Sequence, residues 1–314
     1  MKAVRIHQYG NADVLRYEDA PLPELAADDV RVRVIAAGVN PVDWKIREGY
    51  LQQMIPYDLP LTLGWDVSGI IESVGSAVQA FKPGDAIYAR PDIKRNGSYA
   101  EFIDIRASEI AHKPRTLSHA AAASLPLAAI TAWDALFTAA RLRAGQSVLI
   151  HAASGGVGSL AVQLAKNAGA RVIATCSAKN HALVRSLGAD QLIDYQTQRL
   201  ADIGAKVDVV FDTLGGDVQT ASWSLLKPGG ILVSVVSPPT EEAAQAAGAD
   251  NVRSAFVFIE PNAKILEELA DMVDAGRIRP LVGAEFALRD AAKAHALSQS
   301  GRAVGKIVLH VGQP

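Results

Sequence analysis

Strand-like and helix-like segments alternate between residue 146 and about residue 259. Six short apolar segments have the composition of buried strands, and helix-length segments lie between most of them. The six are SVLIH (147–151), RVIAT (171–175), QLIDY (191–195), VDVVFD (207–212), GILVSVV (230–236) and RSAFVFI (253–259). Such alternation is typical of a parallel sheet that is covered by helices on both faces. The sequence therefore predicts an α/β fold with a doubly wound, six-stranded parallel sheet.

A glycine-rich segment, HAASGGVGSLAVQLAK (151–166), overlaps the end of the first predicted strand. The helix behind it has one apolar face, so the glycines lie on the turn between a strand and a helix N-terminus. Free N–H groups and the positive end of a helix favour a pyrophosphate there. The spacing from Ala152 is AxxGxxG and not GxGxxG, and a turn that only lets the helix pack closely is the alternative. The predicted cofactor-binding residues of this segment are Ser154, Gly155, Gly156, Val157 and Gly158.

The segment at the end of the second predicted strand, TCSAKN (175–180), bears on the choice of cofactor. Folds that bind NAD place an Asp or Glu about 20 residues beyond the glycine loop, where it binds the ribose 2′-hydroxyl. Here there is no acid, whereas Ser177 can donate a hydrogen bond and Lys179 carries a positive charge. Both would attract a 2′-phosphate. We expect NADPH as the cofactor; the alternative for Lys179 is an ordinary surface lysine at a helix start.

The flanking segments have a different pattern. Residues 1 to about 120 contain short alternating strands, such as VRVRVIAAGVN (30–40), separated by turn sequences such as KPGD (82–85). Short strands with frequent turns predict a small β barrel or sandwich. The last stretch, FALRDAAKAHALSQSGRAVGKIVLHV (286–311), is too short to fold alone, and we expect it to join the N-terminal part.

Composition disfavours several classes of protein. Lys and Arg total 31 and Asp and Glu total 33, so the net charge of −2 gives no reason to expect binding to nucleic acid or to an anionic membrane. The single cysteine, Cys176, can form neither an internal disulfide nor a multi-cysteine metal site, which favours a reducing cytoplasm. No apolar stretch reaches the roughly 20 residues that span a bilayer.

Several motifs in order resemble one known family. They are GWDVSGIIESVGSAVQAFKPGDAIYA (64–89), GSYAEF (97–102), AASLPLAAITAWDAL (122–136) and AASGGVGSLAVQLAK (152–166). Together they are similar to the medium-chain dehydrogenase/reductase superfamily, and in particular to its quinone oxidoreductases, the zeta-crystallin-like branch. The resemblance implies a GroES-like β-barrel catalytic domain (1–122 and 261–314) and a Rossmann NADP-binding domain (123–260). It also implies an active-site cleft between them and a homodimer.

The sequence departs from the superfamily at the zinc ligands. The zinc-dependent alcohol dehydrogenases have a cysteine ligand after AAG, where this chain has Asn40 in AAGVNPVD (36–43). Trp65, in GWD, stands where a histidine ligand would be, and the cysteine-rich loop of the structural zinc is missing from the sequence. Neither zinc site has its ligands, so we expect no metal. Oxidation of an alcohol needs the developing alkoxide to be stabilised, which zinc does as a Lewis acid. Reduction of a quinone or an electron-poor C=C needs less, because hydrogen-bond donors can stabilise the charge on the conjugated carbonyl oxygen.

The resemblance also implies which residues surround the reacting atoms. Asn40 would face the nicotinamide ribose and the reacting centre, where its amide can orient the cofactor or polarise a carbonyl; a turn before Pro41 is the alternative. Tyr50 would donate its phenol proton to a carbonyl oxygen, or it is a partly exposed packing residue. Lys306 would contact a cofactor phosphate, or it is a surface lysine. The other implied cofactor contacts are Thr131, Asp212, Thr213, Leu214, Ser234 and Val235.

These observations favour a zinc-independent, NADPH-dependent oxidoreductase that transfers a hydride to quinones. An alternative of the same class is an alkenal/enone reductase that saturates the C=C bond of α,β-unsaturated carbonyls. An alternative of another class is a non-catalytic NADPH-binding or structural protein.

Overall fold

The computed structural model describes residues 1–312, and for Asp202 it describes the backbone alone. The chain divides into two compact units. The first unit consists of Met1–Leu127 with the chain from Glu260 onward, and the second of Ala128–Ile259. None of the described helices has both the length and the apolar character that crossing a bilayer requires.

The strands and helices are given in chain order. The strands are β1 (Lys2–Ile6), β2 (Arg16–Asp19), β3 (Asp29–Val39), β4 (Leu61–Thr62), β5 (Val67–Val74), β6 (Ala86–Ala89), β7 (Phe102–Arg106), β8 (Ile110–His112), β9 (Ser147–Ile150), β10 (Arg171–Cys176), β11 (Gln191–Asp194), β12 (Val207–Asp212), β13 (Leu226–Ser234), β14 (Arg253–Phe256), β15 (Val282–Ala287) and β16 (Lys306–His310). The α-helices are α1 (Pro41–Arg47), α2 (His119–Ala123), α3 (Pro126–Trp133), α4 (Gly156–Asn167), α5 (His181–Ser186), α6 (Gly216–Ser222), α7 (Glu241–Ala246), α8 (Ala263–Asp274) and α9 (Ala291–Gln299). Short 3₁₀ segments lie at Ala12–Val14, Ala107–Glu109, Ala178–Asn180, Leu200–Ile203, Trp223–Leu225 and Leu288–Asp290, and a π-helical segment at Asp134–Ala139.

The second unit is built on a parallel sheet. Within residues 1–312 this sheet has six strands in the order β11-β10-β9-β12-β13-β14. Numbered within the unit, this is the order 3-2-1-4-5-6 of dinucleotide-binding folds, so the predicted fold class is confirmed. The side chains of Leu149, Ile173, Val210 and Leu232, from four neighbouring strands, are buried in one cluster. The strand order reverses between β9 and β12, and ligands of such sheets bind outside the carboxyl ends at this point.

Strand β3 is central to the first unit, in a sheet ordered β15-β16-β3-β5-β6-β8 with β7 also paired to β3. β16 comes from the C-terminal part of the chain and pairs antiparallel with β3, Ile307 opposite Val39 and His310 opposite Ala36. Strands from the N-terminal and C-terminal parts of the chain therefore build one sheet. This pairing brings Lys306, the first residue of β16, to the end of β3.

Gly38 lets β3 approach its neighbours closely. A Cβ atom at this position would lie 2.4 Å from the carbonyl oxygen of Ala123 and 2.7 Å from Cβ of Asp66. Distances this short require the backbone to move, so glycine is the residue that fits. The close approach places Asp66, which precedes β5, beside the end of β3.

Candidate cofactor-binding and catalytic residues

The glycine-rich segment forms the turn between β9, which ends at Ile150, and α4, which begins at Gly156. Gly158 lies against this turn, because a Cβ there would be 2.4 Å from the carbonyl oxygen of Ala152 and 2.8 Å from Cα of Ala153. The first N–H groups of a helix have no partner within the helix and favour an anion. Close packing and phosphate binding, the two interpretations of these glycines, are therefore compatible here.

Three polar side chains lie together after β9 and β10. Nδ2 of Asn180 donates hydrogen bonds to Oγ of Ser154 at 3.0 Å and to Oγ of Ser177 at 3.3 Å. Ser177 is buried, and Lys179 is exposed. The sequence pattern did not single out Asn180, which links the two predicted serines. Hydroxyl, amide and ammonium groups, with no carboxylate in residues 177–180, fit a 2′-phosphate.

Asp212 organises the loop after β12. Its Oδ1 accepts hydrogen bonds from the backbone N–H groups of Leu214 (3.0 Å) and Gly215 (2.9 Å). Its Oδ2 accepts from Nε2 of Gln219 (2.9 Å) and from Oγ of Ser234 (2.8 Å). The side chains of Asp212 and Ser234, both fully buried, are thus engaged with each other and with the loop. They can shape a cofactor site through this loop, whereas the sequence assigned them direct contacts.

The remaining predicted residues of the second unit lie near this edge or on α3. Oγ1 of Thr213 donates to the carbonyl oxygen of His151 at 3.0 Å, and burial lowers the pKa of His151 to about 4. Leu214 is exposed, and Val235, which follows β13, is half-buried. Thr131 lies on α3 and is buried.

Asn40, in the first unit, stands between the end of β3 and the start of α1 and is buried. Its backbone N–H donates to Oδ2 of Asp43 at 2.8 Å, which is one half of a capping box. Its side-chain Nδ2 donates to Oδ2 of Asp66 at 2.9 Å, and its Oδ1 accepts a hydrogen bond from the ammonium of Lys306. Both ends of the Asn40 amide are therefore held.

Lys306 and Asp66 form a buried ion pair. Nζ of Lys306 lies 3.1 Å from Oδ2 of Asp66 and 3.2 Å from the carbonyl oxygen of Val39, in addition to its bond with Asn40. The other carboxylate oxygen of Asp66 accepts a 2.6 Å hydrogen bond from the backbone N–H of Leu127. The sequence predicted that Lys306 contacts a cofactor phosphate. In the structure its three N–H groups have three oxygen partners within its own unit, so the geometry gives it a different contact set.

A chain of hydrogen bonds extends from Asp43 to α9. Arg47 can only donate, so Nδ1 of His295 accepts from its Nη1 at 3.2 Å, and burial keeps His295 neutral by lowering its pKa to about 3. The remaining ring N–H, on Nε2, then donates to the Tyr99 oxygen at 3.3 Å. The Tyr99 hydroxyl donates to Oδ2 of Asp43 at 2.8 Å. Each donor points towards Asp43, so this series of hydrogen bonds fixes the position of Asp43, which in turn holds the backbone of Asn40.

Burial dominates the electrostatics of Asp43. Its side chain is fully buried, and its Oδ1 has no hydrogen-bond partner among the residues that the structure describes. Burial raises the pKa of Asp43 to about 7. Asp43 is not among the residues that the sequence predicted for the site, although it follows Asn40 at the spacing of a capping box, which is a readable signal. No sequence pattern connects Asn40 with Tyr99 or His295.

Tyr50 and Trp65 lie in different surroundings. The side chain of Tyr50 is 68% exposed, and its ring meets that of Trp44 edge-on at a centroid distance of 6.0 Å. A hydrogen bond to Glu48 raises the pKa of the Tyr50 phenol. Trp65 is fully buried, and its Nε1 donates to the carbonyl oxygen of Arg95 at 3.2 Å. The structure therefore does not bring Tyr50 into the buried cluster around Asn40.

Two parts of the chain match known protein families. Residues 26–115 match the family described as alcohol dehydrogenase GroES-like domain, and residues 187–309 match the one described as zinc-binding dehydrogenase. NAD(P)H oxidoreductase RTN4IP1, mitochondrial, from Danio rerio is 35% identical over 354 residues, which cover 99% of this chain and 91% of the relative. NADPH-dependent alkenal/one oxidoreductase, chloroplastic, from Arabidopsis thaliana is 36% identical over 325 residues, 99% of this chain and 79% of the relative.

A solved structure of an oxidoreductase is also similar to this chain. The structure of the quinone oxidoreductase from Coxiella burnetii superimposes with a TM-score of 0.93 at 36% identity, covering 99% of both chains. The chain therefore belongs to the medium-chain dehydrogenase/reductase superfamily, in its quinone oxidoreductase-like branch, and is an oxidoreductase of that family.

Proposed function

We propose that this chain is a zinc-independent, NADPH-dependent reductase that transfers a hydride to quinones. The observation that carries the proposal is the ammonium of Lys306 on the amide oxygen of Asn40, the residue at the position of a zinc ligand. A positive charge at this place stabilises a polarised amide and opposes a divalent cation. Trp65, at the second ligand position, offers an N–H donor and no lone pair for a metal.

The distribution of metal-ligating side chains supports the same proposal. Among the described residues, no group of three or more His, Cys, Asp or Glu side chains is arranged to hold a metal ion. The metal content of the purified enzyme tests this point directly. One zinc per chain, with activity lost on chelation and restored by zinc, would contradict the proposal.

The carboxyl edge of the parallel sheet fits NADPH. Backbone N–H groups of Gly156, Val157 and Gly158 would bind the pyrophosphate, because they open α4 at a turn without bulky side chains. The predicted contact through the Gly155 N–H is not supported, since that group already donates to the carbonyl oxygen of Ala152 at 2.8 Å. Ser177 and Lys179 would bind the 2′-phosphate, with Asn180 holding the serine hydroxyl. When bound, NADPH supplies the hydride. A relative whose printed name says that it is NADPH-dependent supports this choice.

The chain's own residues would then stabilise the charge that develops on the substrate. Asn40 has one Nδ2 hydrogen left after its bond to Asp66, and we assign that hydrogen to the carbonyl oxygen of the substrate or to the cofactor ribose. Tyr50, whose side chain is exposed, is proposed as the proton donor. Its phenol proton is engaged by Glu48, so donation to a substrate requires that bond to be exchanged. Asp212 and Ser234 act on the loop 213–215.

The cofactor preference is tested at Lys179. Replacement Lys179→Ala should raise the KM for NADPH about tenfold or more and leave the KM for NADH nearly unchanged, because only NADPH carries the 2′-phosphate. Lys206→Ala, which removes another exposed lysine of the same unit, is the matched control. Equal changes for the two cofactors would exclude this role of Lys179.

The alkenal/enone reductase is the second candidate, and the similarity to the alkenal/one oxidoreductase favours it. The ratio of kcat/KM for 1,4-naphthoquinone and for 2-alkenals separates the two. Membership of an oxidoreductase family disfavours the non-catalytic alternative.

We also propose a homodimer. β14 is the last strand in the order of its sheet. Its final residue, Phe256, is 42% exposed, and Phe258, two residues beyond the strand, is 43% exposed, so a second copy can pair there and cover both rings. Sedimentation of the wild type and of Phe258→Asp tests this, with a monomeric wild type as the contrary result.

A cytoplasmic location stays a prediction from the single cysteine, since the two relatives above are described as mitochondrial and chloroplastic.

A further inference from the structure

The amide of Asn40 lies between a buried carboxylate and a buried ammonium. Nδ2 faces Oδ2 of Asp66 at 2.9 Å, and Oδ1 faces Nζ of Lys306. Asp66 is fully buried and Lys306 is 5% exposed, so solvent screens neither contact. We propose that the Asp66–Lys306 pair positions Asn40 for the reaction by holding its side-chain amide in one of its two flipped orientations. This inference rests on the proposed catalytic role of Asn40.

The two orientations differ strongly in electrostatic energy. An asparagine amide has nearly the same shape after a half-turn, so packing alone selects weakly between its oxygen and its nitrogen. In the observed orientation the oxygen meets the ammonium and the NH₂ group meets the carboxylate. A half-turn would set the NH₂ group against the ammonium and the oxygen against the carboxylate, so both contacts would become repulsive. The pair therefore determines which side of Asn40 presents a donor.

Each member of the pair also bonds a main-chain group. Lys306 also bonds the carbonyl oxygen of Val39, and Asp66 also accepts from the N–H of Leu127. These main-chain contacts anchor the pair to β3 and to the start of α3. Asn40 is left with one Nδ2 hydrogen whose direction is determined before any substrate binds, which is the arrangement that electrostatic catalysis requires.

The test is a double-mutant cycle. Asp66→Asn removes the charge that selects the orientation and keeps the size of the side chain, and Lys306→Met removes the other charge. Each change should lower kcat for 1,4-naphthoquinone about tenfold to a hundredfold, with a smaller change in the KM for NADPH, because a misplaced donor weakens the transition state more than the bound state. In an Asn40→Ala background the same changes should alter kcat less than about twofold, since no amide remains to be positioned.

A control and a second measurement separate positioning from stability. Asp104→Asn breaks another largely buried ion pair of the same unit, with Arg31 at 2.9 Å, and should lower the Tm while leaving kcat unchanged. The side-chain ¹H–¹⁵N signals of Asn40, assigned by their loss in Asn40→Ala, should shift in Asp66→Asn and stay in place in Asp104→Asn.

The outcomes distinguish this inference from the proposed function. Equal losses of kcat in the wild-type and Asn40→Ala backgrounds would overturn the positioning role of the pair. If Asn40→Ala itself keeps the wild-type kcat, the proposed role of Asn40 in the reaction fails. The amide signals then still report whether the pair holds Asn40, and unchanged signals in Asp66→Asn would refute that holding.

Discussion

His295 should make the stability of the enzyme depend on pH in a calculable way. The ring is fully buried on α9, and burial lowers its pKa to about 3. In the unfolded chain a histidine has a pKa of about 6.5. Between these two values the unfolded chain binds a proton that the folded chain does not, so the free energy of unfolding falls as the pH falls. At pH 5 this single group lowers the stability by about 2 kcal/mol relative to neutral pH.

The substitution His295→Phe removes this titration. At pH 7.5 the variant should be less stable than the wild type by about 1–3 kcal/mol, because Tyr99 and Arg47 each lose a buried hydrogen-bond partner. At pH 5 the difference should shrink by about 2 kcal/mol, because only the wild type is destabilised by proton uptake at this histidine in the unfolded chain. Other titrating groups are present in both proteins and largely cancel in the difference.

Urea unfolding at several pH values between 5 and 7.5, followed by tryptophan fluorescence, measures this difference. Gln299→Ala is the control, because it removes a contact of Arg47 and leaves the histidine in place. Its stability should follow the wild-type pH dependence. If the difference between the wild type and His295→Phe is the same at pH 5 and pH 7.5, the burial argument for this ring is wrong.

Three further substitutions test single contacts. Gly158→Ala places a Cβ 2.4 Å from the Ala152 oxygen, so it should lower stability by about 1–3 kcal/mol and weaken NADPH binding in a fluorescence titration. Asp212→Asn sets an NH₂ group among donors, so amide exchange of the loop 213–215 should accelerate, and unchanged exchange would contradict its role. Gly38→Ala forces Asp66 away and should lower both Tm and kcat, whereas Gly10→Ala, which meets only a side-chain methyl of Val14, should change little.

The periodic signals of the sequence were sufficient for the second unit. Buried parallel strands are continuous apolar runs and their helices have one apolar face, so each element can be recognised from its own residues. The glycine loop and the acid-free end of β10 are also local features, and they point to a cofactor without reference to distant residues. These residues could be selected from the sequence because they are contiguous in the chain, and their contact with a cofactor stays a prediction.

The cluster around Asn40 was predictable only in part. Asn40 and Trp65 were selected because they depart from a zinc-ligand pattern, and Lys306 was selected for its charge. The interpretation of Lys306 as a phosphate contact treated that charge as available to a ligand. The structure pairs it with Asp66, 240 residues away, because β16 returns to the end of β3. Tyr50 was selected by its approximate place in a motif, and the structure leaves its side chain exposed and bonded to Glu48.

By itself, the sequence determined the fold class and the alternation of strands and helices in the second unit, because these depend on residues that are near one another along the chain. For the same reason it predicts a phosphate-binding loop between β9 and α4. Only the tertiary structure decided which polar groups meet. The partners of Asn40, namely Asp43, Asp66 and Lys306, come from α1, the segment before β5 and the C-terminal strand. A buried charge is defined by its partner and its exclusion from water, and both arise only when distant segments pack together.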